Sequence, residues 1–391
     1  MVATMTETTM GHNRFTVAGR LLLDGALVRG VLVVDGGRIV EVRTDAGAAP
    51  ADGTPRLDAD IVSPGLVDLQ VNGGFGLEVG GDAAALRGLA ARLPETGVTT
   101  FLPAVVSSGA AAYRAAAAAL AAARGAPGAR MPGLHLEGPL LSPARAGAHD
   151  AGPIAAADAT LDAVLDELIA AGAVRVVTLA PERPGALARI AGLRAAGVIV
   201  SLGHTDATFE QMIAGVDAGA TLVTHLYSAM SPFHHRAPGA VGAALADERL
   251  TVTLIADGIH THPAALNVAL RAKGAAGVVL VTDAIAAAGA PPGRYQLAGI
   301  PVISDGASAR LADGTLAGST LTMDRAVRAM VSLAGARLED ALAMASSVPA
   351  SIIGLRDTGR LTVGAIADLT LWSSTMEVAA TIVGGDVVYR R

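Results

Sequence analysis

The sequence predicts an α/β fold: a (β/α)8 TIM barrel with a small β-sandwich-like domain formed from both chain termini. Three observations predict it. Eight short, β-branched apolar runs recur between Ala-rich helical stretches through the middle of the chain, as buried parallel strands and their crossover helices do. Both ends read instead as short strands joined by tight turns. Aromatic residues make up only 3% of a chain that is 52% hydrophobic, so its core must be built from Val, Leu, Ile and Ala.

In chain order, residues 1–12 are polar and lack periodicity, which marks a flexible tail. Residues 13–62 and 357–391 are expected to form the small β domain. ALVRGVLVVDGGRIVEVR carries two β-branched runs around Asp35-Gly36-Gly37, a hairpin signal. ADLTLWS (Ala367–Ser373) and ATIVGGDVVYRR (Ala380–Arg391) repeat the pattern around a Gly-Gly-Asp turn. Residues 63–356 hold the barrel. Its strand candidates are GLVDLQV from Gly65, TTFLPAVV from Thr99, GLHLEGP from Gly133 and VRVVTLAPE from Val174. VIVSLGHT from Val198, TLVTHLYSAM from Thr221, LTVTLIADG from Leu250 and GVVLVTDA from Gly277 complete the eight. A doubly wound open sheet would need a phosphate loop at its first helix. NGGFG (Asn72–Gly76) does not fit G-x-G-x-x-G.

Composition excludes several classes. Ample apolar surface with 16% charged residues argues against disorder. A net charge of −6 without a basic run argues against a nucleic-acid groove. The absence of cysteine removes disulfides and thiolate metal sites and suits a reducing, cytoplasmic setting. Met1–Arg20 holds no signal-type apolar stretch. The longest apolar tract, Ala110–Arg124, is interrupted by Arg114 and falls short of the roughly 20 residues a membrane span takes.

Polar residues fall at the C-terminal strand ends, where barrel chemistry sits. Strand three ends in Glu137, strand five in His204 and strand eight in Asp283, and strand six carries His225 in its second half. Two imidazoles and one carboxylate make a catalytic metal set with a fourth position open to water. Asp283 is then the free carboxylate facing that water. His135 lies two residues before Glu137 and points into the barrel with it, as a hydrogen-bonded interior residue. His149, in the loop after strand three, is a candidate active-site donor. His260, after strand seven, is a candidate substrate contact, and His262 a surface residue. His234 and His235 read as a solvated loop pair, and His12 belongs to the tail. Arg236 lies in a long loop after strand six, where its fork could take a phosphate or carboxylate.

HLEGP, SLGHT, THLYSAM, IADGIH, LVTDA and LAGSTLTM, in this order, closely resemble the N-acetylglucosamine-6-phosphate deacetylases of the amidohydrolase superfamily. The resemblance runs from about Phe15 onward. It implies one divalent metal per chain on Glu137, His204 and His225, zinc being expected with iron, manganese or cobalt as alternatives. It implies that Asp283 is the acid/base, that His149 meets the sugar or the scissile carbonyl, and that His260 and Arg236 contact substrate and phosphate. It implies a homodimer, a phosphorylated amino-sugar substrate, and no membrane or nucleic-acid partner. Such dimers can reach the phosphate from the neighbouring subunit.

Two departures stand out. Many amidohydrolases carry H-x-H at the end of strand one for a second metal. This chain has Gln70-Val71-Asn72 there, and amides are poor ligands beside imidazole. Ser228, before a matching Ala229, stands where the family's H-L-Y-N-A-M loop more often has an asparagine whose amide helps hold substrate. The expected reaction is removal of the acetyl group from N-acetyl-D-glucosamine 6-phosphate, in amino-sugar catabolism and cell-wall recycling. The galacto epimer and a cyclic amide are the alternatives within the superfamily. Gln70 and Asn72 speak against a dihydroorotase-like site. A non-catalytic sugar-phosphate binder is the alternative of another class, and it should have lost a ligand or the acid.

Overall fold

A computed structural model describes residues 14–44, 54–155 and 159–391. The expected tail, with His12, lies outside them. The described chain opens with β1 (Phe15–Leu23), β2 (Ala26–Asp35), β3 (Arg38–Arg43) and β4 (Arg56–Pro64). The Asp35-Gly36-Gly37 hairpin forms as its residues require. Asp35 pairs with Arg38, and Gly36 and Gly37 take φ of 56° and 78°, the double positive φ of a two-residue turn that suits the strand twist.

One residue later the barrel begins. Its strands are β5 (Leu66–Val71), β6 (Val98–Val106), β7 (Leu134–Glu137), β8 (Val174–Leu179), β9 (Ile199–Leu202), β10 (Leu222–Val223), β11 (Thr251–Leu254) and β12 (Val278–Leu280). All eight expected strands are present, in sequential parallel order. Just past β12 the barrel closes on β5. Asn72 N–H donates to the Ala284 carbonyl at 2.8 Å and Asp283 N–H to the Gln70 carbonyl at 3.0 Å. β5 and β6 are buried along their full length, which is why they read as continuous apolar runs rather than alternating ones.

Helices follow each strand: α1 (Ala83–Arg92), α2 (Ala110–Ala123), α3 (Ala159–Ala170), α4 (Ala186–Ala195), α5 (Phe209–Ala218), α6 (Gly239–Ala246), α7 (Pro263–Lys273) and, after an excursion, α8 (Met323–Ala334). The Ala-rich tract is the covering helix α2. Its buried face, Tyr113, Ala116, Ala119, Leu120 and Ala123, has the three-and-four spacing of an amphipathic helix. Small alanines let it lie close on the sheet.

Between β12 and α8 the chain leaves the barrel plan. β13 (Gly293–Leu297), β14 (Ile300–Ser304) and β15 (Ala309–Arg310) form an antiparallel sheet, which the count of eight βα units passes over. Ile285, Leu297, Val302, Ala309 and Ala317 pack there with Val106 of β6. The excursion therefore roofs the strand-one side of the mouth.

β16 (Leu369–Trp372), β17 (Val378–Val383) and β18 (Asp386–Arg390) return to the first sheet, whose order is β18-β17-β16-β4-β1-β2-β3. The result is sandwich-like because one continuous sheet curls on itself. Ile39 N–H, on edge strand β3, donates to the Ala365 carbonyl, and Gly364 N–H donates back to Ile39. Phe15, Val17, Leu32 and Val34 share one core with Leu369, Leu371 and Ile382. The sheet is fixed beneath the barrel. Thr370 Oγ1 donates to the Gly97 carbonyl and Thr381 Oγ1 to that of Pro94, each at 2.7 Å. The fully buried Asp368 pairs with Arg130. Pro94, Gly97 and Arg130 all precede the strands they lead into, so the terminal sheet holds the N-terminal end and leaves the mouth free.

The two Gly-Gly turns touch. A Cβ on Gly385, at φ 88°, would lie 2.7 Å from Gly37 Cα. Gly385→Ala is therefore expected to cost roughly 1–3 kcal/mol, as backbone strain of this kind does. Denaturant titration measures it, and an unchanged midpoint would mean that the turn contact contributes nothing.

Candidate active site

The mouth is built where strands stop. Glu137 is the last residue of β7. His204 and Asp283 lie two and three residues past β9 and β12. His225 was expected inside the second half of strand six, but β10 ends at Val223 and His225 stands beyond it. The reason is conformational. His204, His225 and Asp283 take φ of 46°, 30° and 49°, a left-handed region that costs a non-glycine residue on the order of 1–2 kcal/mol. Each turns the chain off its strand and is held by neighbours. Ser142 N–H donates to the His204 carbonyl, His225 N–H to Thr253 Oγ1, and Ser319 N–H to the Asp283 carbonyl. Backbone strain maintained in this way is a mark of functional sites.

Three ligand-type atoms converge. His225 Nε2 lies 2.9 Å and His204 Nε2 3.2 Å from Glu137 Oε1, and the two imidazole nitrogens are 3.1 Å apart. His204 Nδ1 lies 2.9 Å from the Arg145 carbonyl. A carbonyl only accepts, so the proton sits on Nδ1 and Nε2 presents a bare lone pair to the cluster. So close a set of lone pairs fits a bound cation, and two imidazoles with a carboxylate are the donors of an open catalytic metal site. Among the described residues no other group of three or more His, Cys, Asp or Glu side chains is so placed.

Strand one supplies hydrogen bonds where a second metal would need ligands. Gln70 Nε2 donates to Glu137 Oε1 at 3.0 Å and to Asp283 Oδ1 at 3.1 Å. Asn72 Nδ2 donates to Asp283 Oδ1 at 2.7 Å. From sequence these amides read only as missing ligands. Their period-two alternation with Asp68 along β5 is the signal that they face the barrel interior together.

Burial and hydrogen bonding set the charges. Burial alone would raise the Glu137 carboxyl, but the imidazoles of His149, His204 and His225 gathered around it hold it well below the usual range. Burial pushes His204 down to about 4. At His225, burial would lower the imidazole, but the hydrogen bond and charge of Glu137 overcome it and raise the ring. Burial first and the Glu137 charge second push Asp283 up to about 6. The ionised Asp283 expected from sequence therefore calls for a nearby cation, which opposes both causes.

His149, whose side chain is buried, accepts Ser107 N–H at Nδ1 (3.2 Å), and its Nε2 lies 3.5 Å from Glu137 Oε2. His260 is held by Asp257, whose Oδ2 lies 2.6 Å from Nδ1. Both histidines, with Ser228, Ala229 and Asp283, line a cavity of about 450 Å³, a usual size for small-ligand sites. Leu297, Thr315, Leu316 and Gly318 of the excursion and Arg145 of the strand-three loop line it too. None of these five was assigned a role from sequence, although Leu316 and Gly318 lie in the LAGSTLTM motif. Arg236 does not line it. Its loop is exposed, and its guanidinium lies 2.7 Å from His235 Nε2. His135 is the expected interior residue, bonded to the Leu69 carbonyl and Thr178 Oγ1. His262 is exposed and caps α7 through Ala264 N–H.

The amidohydrolase family profile matches residues 61–388. The chain belongs to the amidohydrolase family. This amidohydrolase is 37% identical over 371 residues to the N-acetylglucosamine-6-phosphate deacetylase of Bacillus subtilis, covering 92% of this chain and 93% of the relative. It is 41% identical over 336 residues to the N-acetylgalactosamine-6-phosphate deacetylase of Escherichia coli O157:H7, covering 84% and 88%. Among solved structures it superposes, with a TM-score of 0.88 and 36% identity over 96% of this chain and 99% of the other, on an aspartate-to-alanine mutant of N-acetyl-D-glucosamine-6-phosphate deacetylase from Mycobacterium smegmatis, in complex with N-acetyl-D-glucosamine-6-phosphate.

Beneath the site of this amidohydrolase, Asp68 accepts Thr282 Oγ1 at 2.6 Å and the Gln70 and Thr282 N–H groups. Burial outweighs those bonds and raises its carboxyl to about 7, against about 3.9 unfolded. The folded chain thus holds an extra proton between these values. The stability this confers is full below about pH 4 and is lost as pH rises through about 7. Asp68→Asn lacks that proton. The stability of the parent relative to the variant is expected to fall across this window and level off above it, as read from urea unfolding at a series of pH values. A difference that does not vary with pH would show an ordinary carboxylate.

Proposed function

We propose that this amidohydrolase hydrolyses N-acetyl-D-glucosamine 6-phosphate to D-glucosamine 6-phosphate and acetate, in amino-sugar catabolism and cell-wall recycling. The carrying observation is the single His2Glu site facing Asp283, with strand-one amides where a second metal would be held. The deacetylase names of relatives similar over most of the chain support the substrate. The Escherichia coli relative makes the galacto epimer the second reading.

Glu137, His204 and His225 would hold one divalent ion, zinc being favoured by the donor set, and that ion supplies carbonyl polarisation and an acidified water. The remaining steps fall to side chains. Asp283 Oδ1 is filled by the Gln70 and Asn72 amides, which leaves Oδ2 to take the proton of the attacking water. The same oxygen returns it to the sugar nitrogen as the C–N bond breaks, because an amide anion is a very poor leaving group. His149 accepts Ser107 N–H at Nδ1, so its own proton is on Nε2, on the cluster side, where it can donate to the developing oxyanion. Asp257 fixes the His260 ring for a substrate contact, with Ser228 and Ala229 on the neighbouring wall.

Arg236 is proposed to serve the phosphate across a homodimer interface. The support is its exposed loop outside the cavity of its own chain and its neighbour Phe233, which is 60% exposed. Surface aromatics of this kind are common anchors at protein interfaces. The absence of cysteine suits a cytoplasmic setting, and no described helix is long and apolar enough to cross a membrane.

Amine release from the phosphorylated gluco and galacto sugars and from unphosphorylated N-acetylglucosamine tests the reading. Release from neither phosphorylated sugar by metal-loaded protein would overturn it. Asp283→Asn is expected to keep its metal and lose about 10²–10⁴-fold in kcat, while His225→Ala loses metal by elemental analysis. Near-parental activity in the first variant, or stoichiometric metal in the second, contradicts the assigned roles. Arg236→Ala is expected to raise KM for the phosphorylated sugar far more than for the unphosphorylated one, and equal effects would remove it from the phosphate site.

A further inference from the structure

The active-site cavity has a neighbour on its strand-one side. A second chamber of about 580 Å³ meets it along Asn72, Val106 and Leu297, which line both. It lies on the strand-one and strand-two side, between the Gly76–Asp82 loop, the start of α2 and the excursion turn at Ala298-Gly299. Its walls are mixed but more apolar than polar, with Leu77, Val79, Ala85 and Ala104 among them. Among the described residues no Lys, Arg or His lines it, and its two carboxylates are engaged. Glu78 accepts Ala298 N–H, and Asp82 caps α1 through Ala84 N–H.

That chemistry decides which arm of an amide substrate can enter. A phosphate placed there would find no cation and two carboxylates, a costly burial of unpaired charge. Arg145, His149 and His260 line the main cavity instead. A sugar phosphate therefore takes the main cavity, with its nitrogen at Asp283. The acyl carbon substituent, on the other side of the carbonyl, is left facing Asn72, Val106 and Leu297. Acetyl ends at that boundary. A longer chain continues past it into apolar space.

We infer that the second chamber is an acyl subsite, and that the enzyme hydrolyses N-propanoyl and N-butanoyl hexosamine 6-phosphates as well as the N-acetyl compound. The inference rests on the deacetylase reading above. The bond changes are the same: water adds its oxygen to the acyl carbon, the C–N bond breaks, and the products are the short-chain carboxylate and the protonated amine. A site closed behind the methyl group would reject added methylenes by overlap. An open apolar chamber accepts them, each with the favourable transfer of a buried CH₂.

Gly80 provides a clean test. It lines the chamber, its φ lies outside the left-handed region, and a Cβ added there meets nothing within 4 Å. Gly80→Phe fills the chamber without touching the groups assigned to catalysis. The experiment is kcat/KM for N-acetyl-, N-propanoyl- and N-butanoyl-glucosamine 6-phosphate on metal-loaded parent and variant. The parent is expected to process the butanoyl substrate within about tenfold of acetyl, the span a methylene or two commands in an apolar pocket. Gly80→Phe should lose about tenfold or more on butanoyl and stay within about twofold on acetyl. Ala112→Phe, from the exposed start of α2 on the chamber's other side, should repeat that selectivity if Gly80→Phe fails to fold. Fast acetyl release with no butanoyl release overturns the acyl subsite alone, as does a filled chamber that slows both substrates equally. No acetyl release from the parent overturns the deacetylase reading on which it rests.

Discussion

Two carboxylates meet inside a barrel mouth, and one amide keeps them apart and aligned. Gln70 Nε2 donates to Glu137 and to Asp283 at once, while Asn72 takes a share of Asp283. Like charges buried together repel, and a binuclear amidohydrolase would answer that repulsion with a second cation. Here neutral donors from strand one do part of the work, and a cation held by Glu137, His204 and His225 would do the rest. The arrangement depends on barrel closure. Gln70 and Asn72 reach Asp283 because their own backbone groups pair with residues 283 and 284.

The mouth stores strain. His204, His225 and Asp283 sit in left-handed backbone, as do Tyr227 and the cavity-lining Ala229. None is a glycine, so each needs the surrounding hydrogen bonds to stay there. A cation shared by two of the three would add to the same fixation. The interior below is also polar. A run of hydrogen bonds from the Leu69 carbonyl through His135, Thr178, Thr224 and Ser201 ties β5, β7, β8, β9 and the end of β10 together beneath the site.

Legibility in the sequence followed periodicity. Continuous apolar runs gave away every barrel strand, and Gly-Gly turns gave away the terminal hairpins. Polar residues at strand ends gave away Glu137, His204, His225 and Asp283, because only a mouth tolerates them after a buried run. The excursion was not legible. GRYQLAGIPVIS alternates like an ordinary hairpin, and nothing local says that it folds over the active site. Arg145 was hidden because its contribution at His204 is a backbone carbonyl, which any residue could supply. Gln70 and Asn72 were visible as an absence of histidine, while their positive role needed the distances to two carboxylates that lie 67 and 213 positions away.

The terminal sheet has a consequence for how the chain is made. Strand β4 lies between β1, which precedes the barrel in the chain, and β16, which follows it. The apolar face carried by Phe15, Val17, Leu32 and Val34 therefore has no complete cover until Leu369, Leu371 and Ile382 have been synthesised. For most of translation the growing protein carries a sticky N-terminal ribbon alongside a barrel in progress. The terminal sheet is completed only after the barrel has been synthesised. A chain cut short by a premature stop or a C-terminal protease would expose both the β4 edge and that face, marking itself for aggregation or clearance.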